Sequence, residues 1–145
     1  MNFDAETHWK IIKTFDEYDN LGNVIQSTDK AGVTTAYIWG FNGLLPVAEA
    51  VNCDLSLVEM ITPSVSMGGN SNLGGNLSTS QEYQLRSLPN TSVTTYEYDP
   101  HIGLIRKTDP SNHSLYYDYD EHGRLRTVSD SHKNITEQYD YHFKQ

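Results

Sequence analysis

One pattern, repeated along the chain, constrains what it can fold into more than any other feature. An aromatic residue, a turn and a glycine recur as Tyr18-Asp-Asn-Leu-Gly22, Trp39-Gly-Phe-Asn-Gly43, Tyr98-Asp-Pro-His-Ile-Gly103 and Tyr119-Asp-Glu-His-Gly123, and Tyr141 stands where a truncated fifth copy falls. The spacing is 21 residues from Tyr18 to Trp39 and from Tyr98 to Tyr119, and 22 from Tyr119 to Tyr141. Such a period marks a repeat architecture, in which each unit is one supersecondary element that needs its neighbours. A second aromatic sits two positions earlier in four copies, as Tyr37, Tyr96, Tyr117 and Tyr139, with Asp16 the exception. Residues i and i+2 of a strand share a face, so each copy presents an aromatic pair on one side of a sheet.

The rest of the unit fits that reading. Aliphatic residues follow the glycine, as in Val24-Ile25, Leu44-Leu45, Leu104-Ile105 and Leu125, and a second turn lies between copies at Asp29-Lys-Ala-Gly32, Asp109-Pro-Ser-Asn112 and Asp130-Ser-His-Lys-Asn134. In the first kind of turn Asp19, Asp99 and Asp120 accept backbone hydrogen bonds from two residues on, while glycine or asparagine supplies the positive φ that closes the bend. Val, Thr, Tyr and Ile dominate between the turns, the composition of strands. Each unit is therefore two strands and two turns, and the expected fold is all-β: an antiparallel hairpin strip of about eight or nine strands.

A different stretch separates the two repeat blocks, residues 1–53 and 92–145. Within the insert, 54–91, Asp54 is placed to cap a short helix running to Ile61, and a second helix is expected over Ser80–Leu88 before Pro89 stops it. Residues 64–80 carry 13 Ser, Gly, Asn or Thr and no charge, so weak order is expected there. The insert joins two sheet halves expected to pack together as one structural domain.

With 145 residues and only 37% apolar side chains, the chain leans on its 10 tyrosines for core, and the aromatic rows are expected to form the inner face, with Trp9 and Trp39 as core anchors. The formal charge of −9, with no basic segment, argues against a nucleic-acid surface. No stretch approaches the length of a membrane span. The lone Cys53 excludes an internal disulfide and reads as a small buried hydrophobe. The alternating Tyr139-Asp-Tyr-His-Phe-Lys-Gln145 reads as a final strand, as in a piece of a longer protein.

Tyr117-Asp-Tyr119-Asp120-Glu-His-Gly123-Arg124-Leu125 closely resembles the signature of RHS/YD-repeat proteins, and Tyr18-Asp-Asn-Leu-Gly-Asn and Tyr139-Asp-Tyr-His look like the same family, specifically its bacterial secreted or cell-surface branch. The resemblance covers roughly 14–51 and 92–141. It implies an all-β strip that in long members coils into a hollow shell around a toxin or serves in adhesion, with neighbouring repeats of the parent as partners. Some members end in a self-cleaving Pro-x4-Asp-Pro-x-Gly-Leu pattern. Here Asp99-Pro100-His-Ile-Gly103-Leu104 has one residue too many, and no cleavage is expected.

Other candidate sites have simpler readings. His101, His113, His122 and His132 fall in turns without zinc-ligand spacing, and His8 and His142 are placed in terminal strands without partners. Asp118, Asp120 and Glu121, like Asp16, Glu17 and Asp19, offer oxygens for calcium, but one Asp of each cluster is a turn residue. Neither metal nor cofactor is expected. The expected function is a non-enzymatic structural scaffold. The alternative is a glycan-binding module in which sugar faces stack on Tyr37, Trp39, Tyr96, Tyr98, Tyr117 and Tyr119. Open strand edges at both ends of the strip predict a homodimer of the isolated chain.

Overall fold

The computed structural model describes residues 10–63 and 73–142. Among the described residues, nine strands form one antiparallel sheet in simple sequence order: β1 (Lys13–Tyr18), β2 (Val24–Asp29), β3 (Thr34–Gly40), β4 (Leu45–Val51), β5 (Ser92–Asp99), β6 (Gly103–Thr108), β7 (Ser114–Tyr119), β8 (Leu125–Asp130) and β9 (Ile135–Gln138). The two repeat blocks do not stack face to face. They join edge to edge, with Ala48 opposite Thr95 and Ala50 opposite Val93 on β4 and β5. The final strand is not where its sequence pattern put it: β9 is Ile135–Gln138, Tyr139–His142 lie outside regular structure, and residues 143–145 lie outside the described residues.

The turns between strands repeat at atomic detail. At Asp19, Asp29, Asp120 and Asp130 one carboxylate oxygen accepts backbone N–H groups from two and from four residues on, as in the His122 and Arg124 amides on Asp120, each at 2.9 Å. The fourth residue is left-handed in five turns: Gly22, Gly32, Asn112, Gly123 and Lys133. This is a type I turn closed by a bulge residue at positive φ. The β3–β4 turn lacks the acid and instead places both Phe41 and Asn42 at positive φ.

The insert supplies two short helices, α1 (Leu55–Ile61) and α2 (Thr79–Arg86). Asp54 caps α1 by accepting the Ser56 amide. The second helix starts earlier than expected, because Ser78 and Gln81 form a reciprocal capping box, and it ends at Arg86 with Ser87 as its C-cap. Both helices lie on one face of the sheet, where Gln26, Ala36, Ile38, Ala48, Ala50, Val93 and Thr95 point. The α1 amide of Leu55 donates to Gln26 on that face.

This arrangement corrects the expected core. The helix-covered layer is aliphatic: Ala36, Ile38, Ala48, Ala50 and Val93 meet Leu55, Val58 and Leu85, all buried. Small alanines on adjacent central strands let the helices approach closely, and no room is left there for rings. Tyr37, Trp39, Tyr96, Tyr98, Tyr117 and Tyr119 occupy the opposite face, half-buried, and among the described residues Trp39 and Tyr98 also pack against the core cluster, while Tyr139 and Tyr141 are exposed. Trp9 and His8 lie outside the described residues. So do 64–72 of the stretch expected to be weakly ordered. Its described end is ordered, with Leu73 and Leu77 against the core and Asn76 bonding both backbone groups of Tyr98. Among the described residues, no helix is long and apolar enough to cross a membrane.

Candidate functional site: the aromatic face and the helix junction

The two aromatic rows differ in what holds them. In the β1–β2, β3–β4, β5–β6 and β7–β8 hairpins the second strand carries an extra residue, at Ile25, Val47, Ile105 or Arg126, so the register slips at the aromatic of the first strand, and β1 adds a slip of its own at Asp16. A bulge interrupts the ladder, and the carbonyl just before it would be left without a strand partner. The next aromatic of the repeat supplies one. Trp39 Nε1 donates to the Val24 carbonyl at 2.9 Å, Tyr98 Oη to Pro46 at 2.9 Å, Tyr119 Oη to Leu104 at 2.7 Å and Tyr141 Oη to Leu125 at 2.8 Å. Four aromatic tips thus satisfy four carbonyls at equivalent places, as backbone polar groups inside a fold require. Gly43 lies in the β3–β4 turn and Gly103 opens β6 opposite Asp99, both at positive φ.

The other row is less committed. Tyr37 bonds Ser27 at 3.1 Å and takes the Lys13 ammonium at 2.6 Å. Among the described residues, the hydroxyls of Tyr96 and Tyr117 make no hydrogen bond. Lys107 stands 5.7 Å from the Tyr96 ring centre. Burial, then the nearby Glu49, raises the Tyr96 hydroxyl above its usual value, and burial followed by Glu137 does the same for Tyr117. Tyr18 and Tyr139 are exposed at the ends of the strip.

A second polar cluster, which sequence reasoning missed, joins α2 to the sheet. Arg86 uses every donor it has: Nε to Glu82, one terminal nitrogen to the Val93 and Asp109 carbonyls, the other to Thr95 Oγ1 and the Thr108 carbonyl. Glu82 also accepts from Thr95 at 2.8 Å and from Arg106 at 3.3 Å, and Arg106 pairs with Glu97 at 2.8 Å. Burial alone would raise the Glu82 carboxyl; the Thr95 hydroxyl and the two guanidinium groups outweigh it and leave it lowered. An open groove of about 550 Å³ runs beside the cluster, with Tyr83 at its mouth. The i, i+4 spacing of Glu82 and Arg86 is a sequence signal for a helix-face pair, but nothing in the sequence links it to Thr95 or Arg106.

The acids weighed as calcium ligands are engaged locally. Asp16 accepts from Thr14 and Thr28, Asp118 pairs with Arg126, and Asp120 with Arg124. Among the described residues, no group of three or more His, Cys, Asp or Glu is placed to hold a metal. His101, His113, His122 and His132 sit exposed on turns, and His142 lies beyond the last strand rather than within one. Cys53 is buried, and burial raises its thiol.

No family model matches the sequence, and no curated protein matches it significantly.

Proposed function

We propose that the chain is a non-enzymatic structural scaffold, a stretch of repeat wall or stalk of the RHS/YD kind, secreted or displayed on a cell surface. The observation that carries the reading is the commitment of the aromatic tips. Trp39, Tyr98, Tyr119 and Tyr141 each close a backbone carbonyl of the neighbouring strand. Their hydroxyl and indole groups hold strand to strand and are not free for a ligand. The helix junction supports it too, since a guanidinium with all five donors occupied has none to offer an anionic substrate. Family and location rest on the resemblance of the motifs.

The competing reading is glycan binding, and what favours it is the pair Tyr96 and Tyr117, half-exposed on one face, with hydroxyls unbonded among the described residues. Screening the chain on a glycan array separates the two. Scaffolding predicts no saturable binding. Saturable binding that is lost in Tyr96→Ala and Tyr117→Ala, both still folded by circular dichroism, overturns it.

A further inference from the structure

Two equivalent wedges inside the sheet are filled differently. The β4–β5 register ends at Ala48 opposite Thr95, short of Tyr98, so the backbone of Tyr98 lies beyond the ladder. The described end of the insert closes that gap: Asn76 Nδ2 donates to the Tyr98 carbonyl at 2.9 Å, Asn76 Oδ1 accepts the Tyr98 amide at 2.8 Å, and Leu73 and Leu77 pack against the core. Tyr119 stands at the same place, 21 residues on. The β6–β7 register ends equivalently, at Arg106 opposite Tyr116. Successive residues of an antiparallel ladder direct their backbone groups to alternate neighbours, and Asp120 bonds Arg124 on the β8 side, so those of Tyr119 point toward β6. Among the described residues the Tyr119 hydroxyl is engaged, with Leu104, but no side chain meets its N–H or C=O. The floor differs as well. The bulge residue under the β2–β3 and β4–β5 wedges, Ile25 or Val47, is fully buried, whereas Ile105 under the β6–β7 wedge is half-buried and lines an open cavity of about 450 Å³ with His101, Asp118 and Tyr119.

We propose that the β6–β7 wedge binds the carboxamide of an asparagine on a glycine-flanked, apolar segment of a partner polypeptide, as the β4–β5 wedge binds Asn76 between Gly75 and Leu77. A carboxamide answers one N–H and one C=O at once, whereas a carboxylate only accepts and an ammonium only donates. The lining selects the same way. Asp118, Asp120 and Glu121 border the cavity, and the first two are already paired with Arg126 and Arg124, so a neutral side chain is admitted and a further carboxylate is repelled. The apolar residues of the segment would cover Ile105 and Ile102, the latter 49% exposed at the cavity wall. The inference goes beyond the scaffold reading and does not rest on it.

A synthetic peptide of residues 73–78, Leu-Gly-Gly-Asn-Leu-Ser, titrated into the full-length chain and followed by backbone NMR, tests this. Slowed hydrogen exchange at the Tyr119 amide and shift changes at Ile105 and Asp118 are expected. The same peptide carrying Asn76→Asp is expected to bind about tenfold more weakly, one lost donor plus the added charge expressed as affinity. A Tyr119 amide that stays unprotected at millimolar peptide, changes centred on Tyr98, where the peptide would merely displace Asn76, or equal affinity for the Asn76→Asp peptide overturn the proposal. Those results leave the glycan-array outcome, and with it the scaffold reading, untouched.

Discussion

Replacing Tyr119 by phenylalanine isolates one of the four aromatic-to-carbonyl bonds with almost no change in packing. The hydroxyl donates to the Leu104 carbonyl at 2.7 Å, and ring and carbonyl are both half-buried. A net intramolecular hydrogen bond contributes roughly 0.5–1.5 kcal/mol, and a fully dry orphaned acceptor costs up to about 3. Water can reach a half-buried carbonyl, so the lower figure applies, about 1 kcal/mol. For a chain of 145 residues that corresponds to a Tm lower by roughly 4 °C, or a urea midpoint lower by about 0.5 M at a slope near 2 kcal/mol/M. Tyr117→Phe removes a hydroxyl with no partner among the described residues, two positions away on the same strand, and is the internal control. Urea unfolding of both variants, with unchanged slopes, decides the matter. If the two midpoints move equally, or Tyr119→Phe rises, the tips are not holding the strands together.

Four further outcomes are expected. Lys133 is a non-glycine residue at φ 65° where equivalent turns place Gly32 or Gly123; Lys133→Gly should stabilise by about 0.5–1 kcal/mol in chemical denaturation, relief of left-handed strain outweighing the added chain entropy. Arg86→Lys should destabilise by roughly 2 kcal/mol despite keeping the charge, because one ammonium cannot reach Glu82, Thr95 and three carbonyls at once; a urea midpoint equal to the parent's contradicts this. Gly40→Ala should lose about 1–3 kcal/mol, again by urea, since a Cβ there would collide with the Gly75 carbonyl oxygen and come within 2.6 Å of Val47 Cγ1. A stability profile against pH should fall at both ends. Burial raises the Tyr96, Tyr98, Tyr117 and Tyr119 hydroxyls above 10.0, so their contribution is whole below that pH and fades as pH climbs through the folded values. Backbone amides of His113 and Arg124 foremost lower Asp109 and Asp120, and the Asn134 side chain lowers Asp130; their contribution stands above pH 3.8 and is lost as pH drops through the folded values.

Strands and turns were legible because their signals are local. An Asp followed by glycine, asparagine or lysine three residues on closes a turn whatever surrounds it, and alternation between turns sets strand length. The Asp54 cap was readable for the same reason. Which face would be the core was not readable. Both faces of β3 look plausible in sequence, Ala36 and Ile38 on one side and Tyr37 and Trp39 on the other, and the choice falls to α1 and α2, which come from the insert and settle on the alanines. The bonds from Trp39, Tyr98, Tyr119 and Tyr141 were equally hidden. They depend on a bulge in a neighbouring strand, and neither the ring nor the acceptor announces it. The Arg86 junction joins residues up to 24 apart through one helix, a contact no period encodes.

An odd number of strands has a geometric consequence. With nine counted among the described residues, β1 and β9 point the same way. Two copies laid side by side by simple translation would bring those rims together in parallel, the weaker and rarer pairing. A twofold rotation, matching each rim to its own kind, makes the contact antiparallel. Parity therefore steers free copies to join β1 to β1 and β9 to β9 rather than β9 to β1.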